Sequence, residues 1–255
     1  GFGVDSGLPD FRGTQGFWRA YPALGRARIP FEAIANPAAF VRDPRQAWGF
    51  YGHRLNLYRA TVPHAGFEIL RRIAERVPDG AFVFTSNVDG QFQKAGFAAE
   101  QIVECHGSIH HLQCSEPCGE AIWAADDLLP DVDADACRLR SALPSCPRCG
   151  ALARPNILMF GDWNWCEARS EAQHTRFAAW RRRVERLLVI ELGAGTAVPT
   201  VRRFGASLGG LLIRINPDEP QLEGARGVAL PENALPALQG IAAALAAQGW
   251  ADSSA

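Results

Sequence analysis

Short apolar runs and amphipathic segments alternate over much of this chain. Continuous apolar runs occupy 81–85, 156–160, 187–192 and 211–215, a further strand-like run occupies 101–105, and helical periodicity occupies 64–77, 170–186 and 233–248. Short apolar runs of this kind are typical of strands that are buried on both faces of a parallel sheet. Strands that alternate with helices predict an α/β fold with a doubly wound parallel sheet.

Two segments depart from this alternation. Residues 14–60 are rich in aromatic residues and prolines, which predicts a set of short helices. Residues 107–155 contain five of the seven cysteines and few apolar runs. Because the second segment has too few apolar residues to build a core of its own, we interpret it as an insertion.

This insertion contains two pairs of closely spaced cysteines that could bind a metal ion. Cys114 and Cys118 form one pair, Cys146 and Cys149 form the other, and 27 residues separate the pairs. Two such pairs can supply four thiolates to one tetrahedral zinc ion, and an ion with four protein ligands is structural rather than catalytic. The alternative is that the four thiols are reduced and bind no metal, which would leave the insertion without a core.

Length and charge narrow the class of protein. The chain has 255 residues, 47% of them hydrophobic, and a formal net charge of −1. No apolar run approaches the roughly 20 residues of a membrane span, and no signal-peptide pattern opens the chain. The near-zero charge gives no reason to expect a membrane or nucleic acid as a partner, and we interpret the arginines at 181–183 as a solvated helix face. We expect a globular, cytoplasmic protein.

Small polar residues and glycines follow the predicted strands. They lie at 85–90, 106–108, 193–196 and 216–217, and the opening segment 1–13 is also rich in glycine. The carboxyl ends of parallel strands are where α/β proteins bind ligands, so these loops predict a nucleotide site. A histidine at a strand end suits a general base at neutral pH, which makes His106 a candidate. Taken singly, each loop is equally consistent with an ordinary strand-end turn.

Together and in this order, the motifs resemble those of the sirtuin family, bacterial type. They are SGLPDFRG at 6–13, TSNVDG at 85–90, CHGSIHHLQC at 105–114, RPNILMFGD at 154–162, the glycine loop from 193, IRIN at 213–216 and GVALPENALPAL at 227–238. The resemblance spans nearly the whole chain. Because the family's Gly-Ala-Gly opening is present only as Gly1, we expect the sequence to be N-terminally truncated and to lack the first strand of the family's sheet.

The resemblance implies two domains. A Rossmann-like large domain that binds NAD would comprise residues 1–13, 61–106 and 156–255. The helical module at 14–60 and the zinc-binding module at 107–155 would form an inserted small domain. NAD and an acyl-lysine protein or peptide would meet in the cleft between the two domains.

It also implies roles for single residues. The predicted catalytic residues are His106 and Asn87. Cofactor binding falls to Gly1, Asp10, Phe11, Arg12, Ser86, Asn87, Asp89, Gly193, Gly195 and Asn216. Phe160 and Gly161 match the loop that pairs with the substrate peptide as an added strand, a mode of recognition that tolerates many sequences.

The implied activity is NAD-dependent removal of acyl groups from protein lysine side chains. The acyl oxygen attacks C1′ of the nicotinamide ribose, nicotinamide leaves, His106 acts as general base toward a ribose hydroxyl, and water releases lysine and O-acyl-ADP-ribose. One alternative is an NAD hydrolase or mono-ADP-ribosyltransferase on the same fold. Another is a zinc-ribbon binding module without catalysis.

Tyr51 and Arg54 are candidate residues for recognition of the acyl group. Their spacing resembles the tyrosine–arginine pair of sirtuins that prefer succinyl or malonyl lysine over acetyl lysine. A guanidinium can hold a carboxylate with two hydrogen bonds, and a tyrosine hydroxyl can add a third. The alternative is that Arg54 faces solvent and Tyr51 packs inside the helical module.

The sequence also departs from the family pattern. Ser86 stands where the family usually has glutamine, Ala194 and Gly195 replace a threonine–serine pair, and Asp162 replaces a glutamate. These positions belong to the cofactor and peptide sites. They leave the identity of the substrate more open than the fold.

Overall fold

The computed structural model describes residues 2–9, 13–116 and 118–250, without the side chains of residues 13–15. The helices are a 3-10 helix at Phe2–Ser6, α1 Gly13–Ala20, α2 Pro22–Arg26, α3 Phe31–Ile34, α4 Pro37–Arg42, α5 Pro44–Ala60, α6 Ala65–Ala74, α7 Gln91–Lys94, a second 3-10 helix at Ala99–Gln101, α8 Ala168–Arg181, α9 Thr200–Ser207 and α10 Ala234–Ala247. The strands are β1 Val83–Thr85, β2 Ile102–Glu104, β3 Gly107–Cys114, β4 Ile122–Ala124, β5 Val132–Asp133, β6 Arg138–Leu139, β7 Ala153–Ile157, β8 Leu188–Leu192, β9 Leu211–Ile215 and β10 Gly227–Leu230.

Two groups of parallel strands carry the α/β part of the fold. Strand β1 pairs with β2, and β9 lies between β8 and β10. Thr85 lies opposite Glu104 at one set of strand ends, and Leu192 lies opposite Ile215 at the other. The carboxyl ends within each group are therefore level, so the loops that follow them leave from the same edge.

Hydrophobic clusters attach helices to these strands. Phe67 of α6 and Leu238 of α10 pack with Ile215 of β9 in one cluster. In a second cluster, side chains of α8 and α9 pack against β1 and β2. Phe84 of β1 stacks on Phe204 of α9 with ring centroids 3.7 Å apart, which connects the two strand groups. This arrangement confirms the predicted α/β fold with parallel strands.

A third cluster joins the helical segment to antiparallel strands. Strand β3 pairs with β4 and β7, and β5 pairs with β6. Helix α5 begins at Pro44, and the Asp43 carboxylate accepts a hydrogen bond from the Gln46 amide as the N-cap. The buried indole of Trp48 on α5 donates to the Ala153 carbonyl of β7 at 2.9 Å. One core thus serves both segments that depart from the α/β pattern.

Most of the predicted elements are present, and one strand is displaced. The strands predicted at 81–85, 101–105, 187–192 and 211–215 and the three predicted helices are found, with shorter bounds. The strand predicted at 156–160 is wrong in place and partner, because β7 starts at Ala153 and pairs antiparallel with β3. Arg154 and Asn156 are buried in it despite their polarity. The domain boundaries stay a prediction. In the described ranges, no helix has the length and apolar character needed to cross a membrane.

Candidate active site

A cavity of about 1770 Å³ opens among the loops at the strand ends. Of the predicted site residues, Tyr51, Arg54, Ser86, Asn87, Asp89, His106, Phe160, Gly193 and Gly195 line it. Gly161 and Asn216 do not line it, and Gly1, Asp10, Phe11 and Arg12 fall outside the described residues. The cavity also extends along β1 and β8. Residues far apart in the sequence therefore share one space large enough for a dinucleotide.

The imidazole of His106 lies at the wall of this cavity, in the turn between β2 and β3. The turn is fixed by two backbone bonds: the Cys105 amide donates to the Thr85 carbonyl at 2.9 Å, and the Leu158 amide donates to the His106 carbonyl at 3.0 Å. Burial lowers the pKa of His106 below its ordinary value, and a hydrogen bond with the Ser86 backbone opposes this shift only in part. A lowered pKa keeps the ring neutral at pH 7, which is the form that accepts a proton.

The loop after β1 presents Asn87 and Asp89 to the same space. The Asn87 amide donates to the Thr85 hydroxyl at 3.0 Å, and the Asp89 carboxylate accepts from the Gln91 amide at 3.0 Å. His110 contacts the Asp89 carbonyl through its Nε2 at 3.0 Å. Burial raises the pKa of the Asp89 carboxyl. These hydrogen bonds hold the backbone of the loop and the carboxylate of Asp89 in place.

The glycine loop after β8 is held by Asn216. The Gly193 amide donates to the Ile215 carbonyl at 2.9 Å, and the Asn216 carboxamide donates to the Ala194 carbonyl at 3.0 Å. The carboxamide oxygen of Asn216 accepts from the amides of Asp218 and Glu219. Only 1% of Asn216 is exposed. Its polar atoms are therefore committed to the two loops beside the cavity.

Sequence reasoning missed Arg202, which fixes the same two loops. This buried arginine of α9 donates to the carbonyls of Glu219 and Gln221, each at 2.8 Å, and to the Ala194 carbonyl at 3.3 Å. The Glu219 carboxylate accepts from the Thr196 amide at 2.9 Å. An arginine on an amphipathic helix is usually solvated, so no sequence signal separates this one from its neighbours.

Tyr51 and Arg54 lie one turn apart on α5. Arg54 is 9% exposed, so the alternative that it faces solvent is wrong, whereas Tyr51 is 1% exposed and packs in the core of the helical module, as that alternative had it. Its Nε donates to the Tyr58 hydroxyl at 2.8 Å, and its guanidinium lies 5.2 Å from the centroid of the Phe50 ring. Burial raises the pKa of Tyr51, which keeps its hydroxyl protonated and able to donate. Tyr51 and Arg54 line the same cavity as His106.

Phe160 and Gly161 follow β7 in a short segment against the helical module. The Phe160 amide donates to the Ala35 carbonyl at 2.9 Å, and the Phe160 ring makes an edge contact with Phe31 at 6.0 Å. Phe160 remains 41% exposed. Gly161 has φ +65°, a left-handed conformation that side chains disfavour. The chain therefore turns sharply beside the mouth of the cavity.

The four cysteines meet as the spacing predicts. The sulfur atoms of Cys114, Cys118, Cys146 and Cys149 all lie within 4.8 Å of one another. Cys114 and Cys149 are 3.6 Å apart, and Cys118 and Cys146 are 3.7 Å apart. A tetrahedral ion with Zn–S bonds of about 2.3 Å requires sulfurs about 3.8 Å apart, so this donor set fits zinc. All four positions are protein ligands, which fits a structural metal.

Comparison with known proteins identifies the family. The model of the Sir2 family matches residues 1–191. The chain belongs to the Sir2 family. Among curated relatives of this family, the NAD-dependent protein deacylase of Aquifex aeolicus (strain VF5) is 28% identical, over 86% of this chain and 81% of the relative. The NAD-dependent protein deacylase of Pyrococcus furiosus is 30% identical, over 85% of this chain and 78% of the relative.

Solved Sir2 structures share the fold. A Sir2 homologue in complex with NAD aligns with a TM-score of 0.71 at 24% identity, covering 97% of this chain and 86% of the other. A Sir2 protein bound to a propionylated peptide aligns with a TM-score of 0.66 at 18% identity, covering 98% of this chain and 90% of the other. The Rossmann-like fold expected from the resemblance is confirmed.

Proposed function

We propose that this chain is an NAD-dependent protein lysine deacylase that produces nicotinamide and O-acyl-ADP-ribose. The observation that carries the proposal is that His106, the Asn87 loop and the Gly193 loop line one cavity. The names of the Aquifex and Pyrococcus relatives support the same activity. The solved complexes of related proteins with NAD and with a propionylated peptide support the two substrates.

His106 acts in this proposal as the general base. Burial lowers its pKa, so the imidazole is neutral at pH 7 and accepts a proton from a ribose hydroxyl. Asn87 and Asp89 bind near the nicotinamide and its ribose, with Ser86 beside them. The glycine loop from Gly193 to Gly195 receives the rest of the cofactor, because backbone without bulky side chains lets a diphosphate approach closely.

The other predicted site residues either bind a substrate directly or hold the loops that bind it. Asn216 contributes by holding the loops, since its carboxamide is already hydrogen-bonded. Phe160 and Gly161 bind the acyl-lysine peptide. Gly1 and the segment Asp10–Arg12 are proposed for the cofactor from the resemblance alone. The four cysteines hold one zinc ion, which anchors the segment 107–155 and takes no part in the reaction.

The domain division is also part of the proposal. Residues 1–13, 61–106 and 156–255 would form the large domain, and 14–60 with 107–155 the small one. The core shared by α5 and the antiparallel strands supports the union of the last two segments. We place the protein in the cytoplasm, because its cysteines are free thiols suited to metal rather than to disulfides.

The acyl group is proposed to extend beyond acetyl. Tyr51 and Arg54 line the cavity together with His106, which supports recognition of a succinyl or malonyl carboxylate by a cation and a hydroxyl. We expect Arg54→Met to lower kcat/KM for a succinyl-lysine peptide at least tenfold and to leave that for the acetyl-lysine peptide within twofold. Equal turnover of both peptides, unchanged by Arg54→Met, would refute this preference.

One experiment tests the activity. The wild-type chain and His106→Ala are incubated with NAD and an acetyl-lysine peptide, and mass spectrometry follows free lysine peptide and nicotinamide. We expect His106→Ala to keep its circular dichroism spectrum and to lose about 10²–10⁴-fold in deacylation, the usual worth of a general base. Full activity of the folded variant would remove His106 from this role. Nicotinamide release from NAD without any peptide would favour the NAD hydrolase instead.

A further inference from the structure

Arg154 and Asp162, the first and last residues of the RPNILMFGD motif, form a buried ion pair. Nη1 of Arg154 lies 2.8 Å from Oδ2 of Asp162, and Nη2 lies 2.9 Å from Oδ1. The side chains are 1% and 0% exposed. The contact is bidentate, which fixes the angle between the two groups as well as their distance. Arg154 belongs to β7, whereas Asp162 lies beyond the end of that strand.

The pair also holds the backbone on both sides of Asp162. The Asp162 carboxylate also accepts from the Asn164 amide at 3.1 Å and from the Met159 amide at 3.4 Å. We call residues 158–164 the substrate segment, because it contains Phe160 and Gly161. Further anchors are the bond from the Leu158 amide to the His106 carbonyl, the bond from the Phe160 amide to the Ala35 carbonyl and the bond from the Gln113 carboxamide to the Asn164 carbonyl.

Stability alone is a weak reason for such a pair. Taking two charges out of water is costly, and well-packed apolar residues in place of a buried ion pair are often equally stable or more stable. What an apolar pair cannot do is hold backbone amides at set positions. The carboxylate of Asp162 does this at two amides of the substrate segment while Arg154 neutralises its charge.

We propose that Arg154 and Asp162 are positioning residues that pre-order the substrate segment for the acyl-lysine peptide. The inference rests on the proposed function. A segment without this pair has to become ordered when the peptide binds, and the lost backbone freedom weakens binding. The chemistry at His106 is untouched once the peptide is in place, so the loss belongs to KM and not to kcat.

The test compares Asp162→Asn with a matched control. Glu191 and Arg214 form a second fully buried ion pair, with Nε to Oε1 at 2.5 Å, on β8 and β9, which are separate elements from the substrate segment. Glu191→Gln removes a charge from an equally buried pair and so reproduces the general loss of stability. A fluorescein-labelled acetyl-lysine peptide measures the dissociation constant by anisotropy. Hydrogen exchange measures the Phe160 amide.

We expect Asp162→Asn to raise the peptide dissociation constant and KM at least tenfold, with kcat within threefold. We expect Glu191→Gln to leave the peptide dissociation constant within twofold. Asp162→Glu keeps a carboxylate for Arg154, so it should recover part of the lost affinity. Equal peptide binding by Asp162→Asn and wild type would overturn the proposal, as would equal weakening in both charge-removing variants.

Two further outcomes separate this inference from the proposed function. If the wild-type chain neither binds the peptide nor releases nicotinamide, the deacylase proposal fails, and the exchange rate of the Phe160 amide then decides the positioning role. Faster exchange in Asp162→Asn than in Glu191→Gln supports it, and equal exchange refutes it. If Asp162→Asn does not fold, Arg154→Lys serves instead, because it keeps the charge but loses the bidentate geometry.

Discussion

Gly49 offers a quantitative test of how the helical segment packs on the cysteine-containing segment. It lies inside α5, where alanine would normally stabilise the helix by about 1 kcal/mol over glycine. A Cβ at this position would lie 2.2 Å from the Cys137 carbonyl oxygen and 2.5 Å from the Arg138 amide nitrogen. Both are backbone atoms, so no rotamer change can relieve the overlap and α5 has to move away from β6.

The expected magnitude follows from two opposing effects. Overpacking costs about 1–3 kcal/mol, and a backbone overlap belongs at the upper end of that range. Subtracting the helix gain of about 1 kcal/mol leaves Gly49→Ala destabilised by about 2 kcal/mol. For a chain of this size the midpoint of thermal unfolding should fall by about 4–8 °C.

Gly240 provides the matched control. It lies inside α10, and a Cβ there would meet no described atom within 4 Å outside the backbone of its own helix turn. Gly240→Ala should therefore raise the midpoint by about 2–4 °C, since only the helix propensity changes. Both variants are measured by circular dichroism during heating. If Gly49→Ala is as stable as Gly240→Ala, the close contact between α5 and β6 is refuted.

Three further predictions concern the site. Below neutrality, kcat/KM should rise with pH through an inflection below 6.5, because burial lowers the pKa of His106; an inflection above 7 would contradict this. The wild type should contain one zinc per chain by mass spectrometry of metals, and Cys146→Ser should lose the metal and unfold at lower temperature. Arg202→Ala should raise KM for NAD about tenfold, since the Ala194 and Glu219 carbonyls lose their donor, while peptide affinity stays unchanged.

The sequence predicted best what depends on local pattern. The runs at 187–192 and 211–215 are apolar except for Glu191 and Arg214, and both form parallel strands. The cysteine spacing predicted four sulfurs at one point, and they lie within 4.8 Å. In each case most of the physical reason lies in a short stretch of chain, either a largely apolar run or a tight turn between two ligands.

The prediction from the sequence was wrong where a residue outside the strand determines whether a charged side chain can be buried. The run at 156–160 has the composition of a buried strand, yet β7 starts three residues earlier and includes Arg154. An arginine inside a strand argues against burial unless its charge is neutralised, and that depends on Asp162 after the strand has ended. Apolar periodicity contains no information about such a pair, so it could not predict the register of β7.

Asn216 is a second case, within the site itself, in which the contacts of a side chain and not its residue type determine its role. The resemblance implies a cofactor-binding residue at this position, and the position does follow a parallel strand at the expected edge. Both polar atoms of its carboxamide, however, are hydrogen-bonded to Ala194, Asp218 and Glu219, because a buried amide needs partners for its oxygen and its nitrogen. The residue type identifies a loop that the cofactor requires, while the contacts decide whether the side chain binds the ligand or builds the loop that does. Asn216→Ala should therefore weaken NAD binding by loosening both loops, and hydrogen exchange at the Asp218 and Glu219 amides should rise in the absence of NAD; unchanged exchange would return Asn216 to direct contact.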